Sequence, residues 1–467
     1  MNGRFLTPLA SVVWVVLAGC AATPTPLESP EKTLQRAAVP AQLPAGAGAA
    51  TDTPADTPAY GWRNLVRQAR LAQLVELALQ GNRDLLVTVL NVQRAQAQLS
   101  VADANRLPTL SAGLTAGRTP NSQGGQANTI ALGLQVSSWE LDFFGRLANL
   151  SESARAQLLA SQAGQRAAEL TLAATVVQTA LVLQADDELL VLARQSLASR
   201  EQSLKLAQLR ESVGAASLLD LQVQQGLAAQ ARATLAQLTR QQAQNANALA
   251  LLLGQPVPPA LLSTVDSPPL ESDAWLAEVP AGLSSTVLLR RPDVIAAEQT
   301  LRAADANIAA ARAAFWPAIT LTGQAGQASP QLSGLFQGGN FAYTLAAQAL
   351  IAVFDAGRRQ ATVDAAIANR DIAQAQYERA IQSAFRDTAD GLSGLATWRD
   401  QRQAVAAQRE AARGSSRLVL LRTRQGAASL LEQLEAERSL WATEQAVVQV
   451  RLAELLNRVA LFKALGG

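Results

Sequence analysis

Between Arg146 and Val213 the chain has no proline, and Val176, Leu183, Leu190, Leu197 and Leu204 return every seven residues. Seven-residue spacing of apolar side chains is the seam of a coiled coil. It predicts one helix over 146–213, roughly 100 Å long at about 1.5 Å per residue. Just upstream the period changes to two. Leu110, Ala112, Leu114 and Ala116 alternate with Ser111, Gly113 and Thr115, and after a loop rich in Gly, Asn and Ser (118–128) Ile130, Leu132, Leu134 and Val136 alternate with Ala131, Gly133 and Gln135. This pattern predicts a hairpin of strands at about 109–117 and 128–139, one face apolar and the other small and polar. Short helices are expected at 71–79 and 84–105. After Gly214 a return helix is expected at 217–253.

The same order then repeats. Gly214-Ala215-Ala216-Ser217-Leu218-Leu219 recurs letter for letter as Gly426-Ala427-Ala428-Ser429-Leu430-Leu431, 212 residues on. Arg210 and Arg422 precede the two copies, and Asp220 and Glu432 follow them. The strand-to-helix turns Asp142…Gly145-Arg146 and Asp355…Gly357-Arg358 match as well. A self-similar chain is one architecture built twice. The first repeat spans 61–255, a proline-rich connector 256–291, and the second repeat 292–467. Its strands are expected at about 318–326 and 341–352, its long helix at 358–425 and its return helix at 429–461. Each return helix is shorter than its neighbour. The helix 217–253 is therefore expected to stack end to end with the helix at 292–314. The leucine seam has no counterpart, since Thr388, Leu395, Arg402, Arg409 and Ser416 hold its positions. The second long helix is expected to pack in another register or to be wetter there.

Composition mostly excludes. The 39 basic and 37 acidic residues nearly cancel and form no basic face, so no nucleic-acid partner is implied. One cysteine and no histidine rule out an internal disulfide and most metal sites. Glu140 beside Asp142 resembles an acid–base pair, but no nucleophile or histidine accompanies it, and strand-end and capping roles account for both. No catalytic, metal or cofactor residue is assigned. Arg291-Pro292-Asp293 and Asn82-Arg83-Asp84 read as helix starts.

The amino terminus has its own logic. Arg4 precedes an apolar run ending in Leu17-Ala18-Gly19-Cys20, a signal-peptide pattern over 1–19. The final four residues resemble the bacterial lipobox, which implies cleavage before Cys20 and its lipidation. Ala21 after it implies sorting to the outer membrane. Residues 20–60, rich in Pro and Ala, read as an extended, poorly ordered tether.

Strands of about 9–12 residues cross a bilayer when tilted. Four cannot close a barrel, and lipid does not tolerate open edges, so several chains must pool their strands. The lipobox, Trp139-Glu140-Leu141-Asp142-Phe143-Phe144-Gly145-Arg146, Leu289-Arg290-Arg291-Pro292-Asp293-Val294, Ala311-Arg312-Ala313-Ala314-Phe315-Trp316-Pro317 and Phe354-Asp355-Ala356-Gly357-Arg358 together resemble the TolC-like outer-membrane efflux proteins, specifically their NodT/OprM-like lipoprotein branch. The resemblance implies a fold that is mainly α with a membrane β-barrel. It implies a homotrimer in which four strands per chain build a 12-stranded barrel above a 12-helix periplasmic tunnel. It further implies a periplasmic adaptor, an inner-membrane pump and outer-membrane lipid as partners, and export of small molecules. On that pattern Arg210, Gly214, Ala215, Ser217, Leu218 and Asp220, with Arg422, Gly426, Ala427, Ser429, Leu430 and Glu432, form adaptor-docking tips. The alternative, a lipid-anchored periplasmic coiled-coil scaffold or adaptor, explains the helices and the anchor but not four amphipathic strands.

Overall fold

The structure, a computed structural model, describes residues 30–40, 43, 61–120, 125–262, 268–277 and 285–467. The signal segment, Cys20 and most of the tether lie outside the described residues. In chain order the helices and strands are α1 (Pro30–Arg36), α2 (Trp62–Leu65), α3 (Ala69–Gly81), α4 (Arg83–Ala104), β1 (Leu110–Pro120), β2 (Gln126–Glu140), α5 (Arg146–Ser212), α6 (Leu218–Leu253), α7 (Pro292–Ala313), β3 (Ala318–Ser329), β4 (Phe341–Leu350), α8 (Arg358–Arg424) and α9 (Leu430–Ala464). The described residues fall into two units, one of Asn91–Gln162 and Ala296–Tyr377, the other of Pro30–Leu90, Ala163–Ile295 and Glu378–Gly467.

The first unit contains a four-stranded antiparallel sheet in the order β1-β2-β3-β4. Leu114 lies opposite Leu132 and Leu110 opposite Val136, so the apolar sets of β1 and β2 share a face. Through β3 that face continues to Phe341, Tyr343 and Leu345 of β4, which pair with Gln327, Ala325 and Gly323. The opposite face carries Thr115, Gln135, Gln324 and Thr344. Period-two alternation in all four strands produces this division. Leu114, Leu134, Tyr343 and Leu345 of the apolar face are all exposed. A bulge between Val136 and Trp139, with Ser138 at φ +50°, lets Trp139 return to that face. The two central strands touch backbone to backbone at Gly133 and Gly326, where a Cβ on Gly133 would lie 2.4 Å from the Ala325 carbonyl oxygen. Nothing larger than glycine fits.

The second unit holds an apolar core. Leu71, Leu74, Val75 and Ala78 of α3 pack against Val176, Val177 and Leu181 of α5, Leu253 of α6, Leu455 and Phe462 of α9, and Trp275 of the connector. The most apolar part of the long helix is thus this core. Arg451, fully buried, ties the connector to α9. It donates to the carbonyls of Leu270 (2.7 Å) and Ser272 (3.0 Å) and pairs with Asp273 and Glu454.

Three expectations change. Stacking occurs within each repeat rather than across repeats. The end of α6 meets the start of α4 through Asn82, and the end of α9 meets the start of α7 through Arg291. The second long helix keeps an inward stripe in place of the leucine seam and fills it with polar partners. Thr388 is fully buried and donates to the Ala464 carbonyl, Arg402 pairs with Glu454 at 3.5 Å, and Arg409 pairs with Glu271 at 2.9 Å. The tether, finally, is not extended throughout. α1 is helical, Leu34 within it and Ala37 and Val39 behind it are buried, and Gln382 donates to the Ala37 carbonyl at 3.0 Å. Apolar residues three and five apart gave that short run something to bury.

Candidate functional site

Each tip is a helix stop joined to a helix start. Gly214 sits at φ +71°, its N–H donates to the Glu211 carbonyl (2.8 Å), and the Ala215 N–H reaches back to that of Arg210 (2.7 Å). Gly426 at φ +74° repeats the pattern with Thr423 (3.0 Å) and Arg422 (2.8 Å). These paired bonds make a Schellman ending, and the left-handed residue in it favours glycine. Ser217 then caps α6, accepting from the Asp220 N–H at 3.1 Å, while Asp220 accepts from the Ser217 N–H and hydroxyl. Ser429 and Glu432 do the same for α9. The Ser-x-x-Asp and Ser-x-x-Glu spacing was the available signal for this reciprocal cap. The hexapeptide is therefore first a turn, and Asp220 and Glu432 are engaged by their own helices. The Ser217 hydroxyl holds the Asp220 carboxyl below the usual range. The Ser429 N–H, then its hydroxyl and the Arg422 charge, do so for Glu432.

Around these turns the surface is apolar. Leu209, Val213, Leu218 and Leu219 are exposed at the first tip, and Leu418, Leu421, Leu430 and Leu431 at the second. The arginines differ. Arg422 donates to the carbonyl of Ala427 at 2.8 Å and stands 3.8 Å from Glu432. The Arg210 side chain is exposed, with no such bond among the described residues.

The strand-to-helix turns also differ between repeats. Arg146 clasps Glu140 through two bonds, Asp142 accepts from the Ala148 N–H at 2.6 Å, and Gly145 takes φ +74°. In the second repeat Gly357 takes φ +83°, and Asp355 accepts from the Gly357 and Arg359 N–H groups. Arg359, rather than Arg358, closes the turn, bonding Asp355 at 2.7 Å and stacking 5.1 Å over Phe315. Arg358 is exposed instead. The motif carries no Glu140 equivalent before Asp355, so the arginine is recruited from one residue further on. Phe144 of the first turn stacks on Trp316, which lies between α7 and β3, with centroids 5.2 Å apart.

Leu114, Leu134, Tyr343 and Leu345 leave the apolar sheet face exposed, and among the described residues the outer edges of β1 and β4 pair with no strand. Soluble monomers rarely expose such a surface. A sheet of this kind fits lipid on one side and water on the other once its edges are closed.

Comparison with known proteins follows the same lines. The family profile described as "Outer membrane efflux protein" matches residues 74–255 and 283–467. The probable efflux pump outer membrane protein TtgC of Pseudomonas putida is 38% identical over 467 residues, 98% of this chain and 94% of that protein. The cation efflux system protein CusC of Escherichia coli O157:H7 is 38% identical over 413 residues, 87% and 88% of the two chains. Among solved structures, the open state of the MtrE outer membrane channel of Neisseria gonorrhoeae superposes with a TM-score of 0.80 at 34% identity, over 91% of this chain and 95% of that one.

Proposed function

The chain belongs to the outer membrane efflux protein family and is an outer-membrane efflux channel, and we propose that it is the passive exit duct of a three-part pump. Small molecules would be delivered by an inner-membrane pump through a periplasmic adaptor. The observation that carries this is the four-stranded sheet with one apolar face and two unpaired edges. Three copies would supply twelve strands and close the barrel, leaving threonine, glutamine, glycine and alanine to line its lumen. The scaffold alternative leaves the apolar face without an environment. Relatives are named for efflux of cargo from toluene to cations, so cargo choice is assigned to the pump. The tips dock the adaptor, and Cys20, following Leu17-Ala18-Gly19, carries the lipid. Neither role involves chemistry on the cargo.

Reconstitution tests the duct. The protein extracted in detergent should run as a trimer and give stable single-channel steps in a planar bilayer. A monodisperse monomer without conductance would overturn the reading.

A further inference from the structure

Where the sheet joins the helices, charge is left over. Carboxylates beside this end of the sheet in the first unit are committed. Asp103 accepts from the Ser151 hydroxyl, Glu140 from Arg146, Asp142 from the Ala148 N–H, and Asp355 from Arg359. Three guanidinium groups at the same end are not. Arg106 precedes β1, Arg312 stands in the last turn of α7 before β3, and Arg358 opens α8 after β4. All three are exposed and have no ion pair among the described residues. The Trp139 indole N–H donates to the Arg106 carbonyl at 3.1 Å, holding that backbone against the end of β2.

Aromatic rings crowd the same level. Phe143 is 67% exposed, Trp316 45% and Phe354 87%. Rings with apolar bodies settle at the boundary between hydrocarbon and headgroups, and basic residues nearby attract anionic headgroups. We propose that Arg106, Arg312 and Arg358, with Phe143, Trp316 and Phe354, form a docking surface for the phosphate headgroups of anionic phospholipid in the inner leaflet. This rests on the channel reading, which puts that end of the sheet at the periplasmic boundary. The rings set the depth of the barrel and the arginines select the lipid. Each phosphate meets a cation that no described carboxylate of its own chain pairs with.

The test uses the full chain in vesicles of phosphatidylethanolamine with or without phosphatidylglycerol, followed by detergent extraction and mass spectrometry of co-purifying lipid. The wild-type protein should retain phosphatidylglycerol preferentially. R106Q/R312Q/R358Q should lose roughly fivefold of that preference per charge removed. R417Q, an exposed arginine on α8 in the other unit, should lose none. Equal retention by wild type and triple variant overturns the proposal, as does an equal loss in R417Q. A thiol-reactive fluorophore on F354C should be quenched by headgroup-borne quencher, whereas cross-linking of F354C to a second copy would make the surface a subunit interface and sink the lipid assignment. A wild-type channel that conducts without phosphatidylglycerol preference defeats this inference alone. Failure to conduct at all defeats the channel reading.

Discussion

Asn82 donates its side-chain amide to the Leu252 carbonyl at 2.9 Å while its side-chain oxygen accepts from the Leu85 N–H at 2.8 Å. One side chain thus closes the end of α6 and the start of α4. The matching position in the second repeat is Arg291, which donates to the Ala464 carbonyl at 2.8 Å and clasps Asp293. Two different residues solve one problem, an orphaned carbonyl facing an uncapped helix.

Replacing Asn82 by Ala removes both bonds from a buried site and should cost about 1–2 kcal/mol. Asp at this position keeps the acceptor and loses the donor, so N82D should fall between wild type and N82A. Thermal unfolding of the purified protein measures all three. An N82D variant as stable as wild type would show that the Leu252 bond contributes nothing.

Arg200 of α5 and Glu437 of α9 meet at 3.1 Å, with side chains 8% and 17% exposed, and tie the first hairpin to the second. Removing Arg200 alone leaves a part-buried carboxylate with only the Gln433 amide as partner, so R200M should destabilise by about 1–3 kcal/mol. The double variant R200M/E437L should recover most of the loss. Limited proteolysis near the tips and unfolding curves together separate a local opening from global loss.

These contacts mark where the sequence stopped being informative. Alternation identified the sheet because each strand carries its own face, as Leu110 to Ala116 does. The reversals at the tips were legible because a glycine turn is local, whereas Asp220 and Glu432, expected to face a partner, cap their own helices. Partners across helices were not. Nothing near Asn82 announces Leu252, 170 residues away. The same holds for Arg402, whose partner Glu454 belongs to another helix. Arg358 looked equivalent to Arg146 by spacing alone, but the pairing depends on Glu140, which only one repeat possesses.

The backbone contact between Gly133 and Gly326 gives a sharp contrast within one sheet. A methyl group on Gly326 would lie 2.2 Å from the Leu132 carbonyl oxygen, whereas one on Gly117 meets nothing within 4 Å. G326A and G133A should fail to assemble in the outer membrane, because the central strands must part. G117A should accumulate normally. Membrane yield and heat-resistant mobility on gels report the difference.

Two sets of carboxylates respond oppositely to acid. Burial holds Asp186 and Glu188 above the usual range, although Asn245 and Gln241 bond the first and the Leu270 N–H the second at 2.7 Å. A raised folded-state pKa means the fold binds the proton more tightly, so their contribution becomes more favourable as pH falls through it. Asp220 and Glu432 are held below the ordinary range, and their stabilisation is lost only as pH falls through those depressed values. Acidification through the raised values should therefore tighten the connector at Leu270, while the tip caps stay intact until the depressed values are reached. Hydrogen exchange, corrected for intrinsic rates, should show slower opening at 270 and no change at 218–222. E188Q should abolish the first effect.

The tips present the last contrast, because their turns are alike and their arginines are not. Arg422 is occupied by the Ala427 carbonyl and by Glu432, so R422A should loosen its own turn. Arg210 has no comparable bond among the described residues, so R210A should leave folding unchanged and weaken only adaptor docking. Ala215 and Ala427 are exposed beside the left-handed glycines, where a glutamate adds bulk and charge without entering a core. A215E and A427E should therefore reach the membrane as trimers at normal abundance yet lose efflux, with at least one of them severely affected. Cysteines at Leu219 and Leu431, 73% and 69% exposed, avoid the capping serines and can be cross-linked to the adaptor in an active pump. Contact at either site supports docking. If neither reports contact while efflux proceeds, the repeated hexapeptide is a helix reversal and no more.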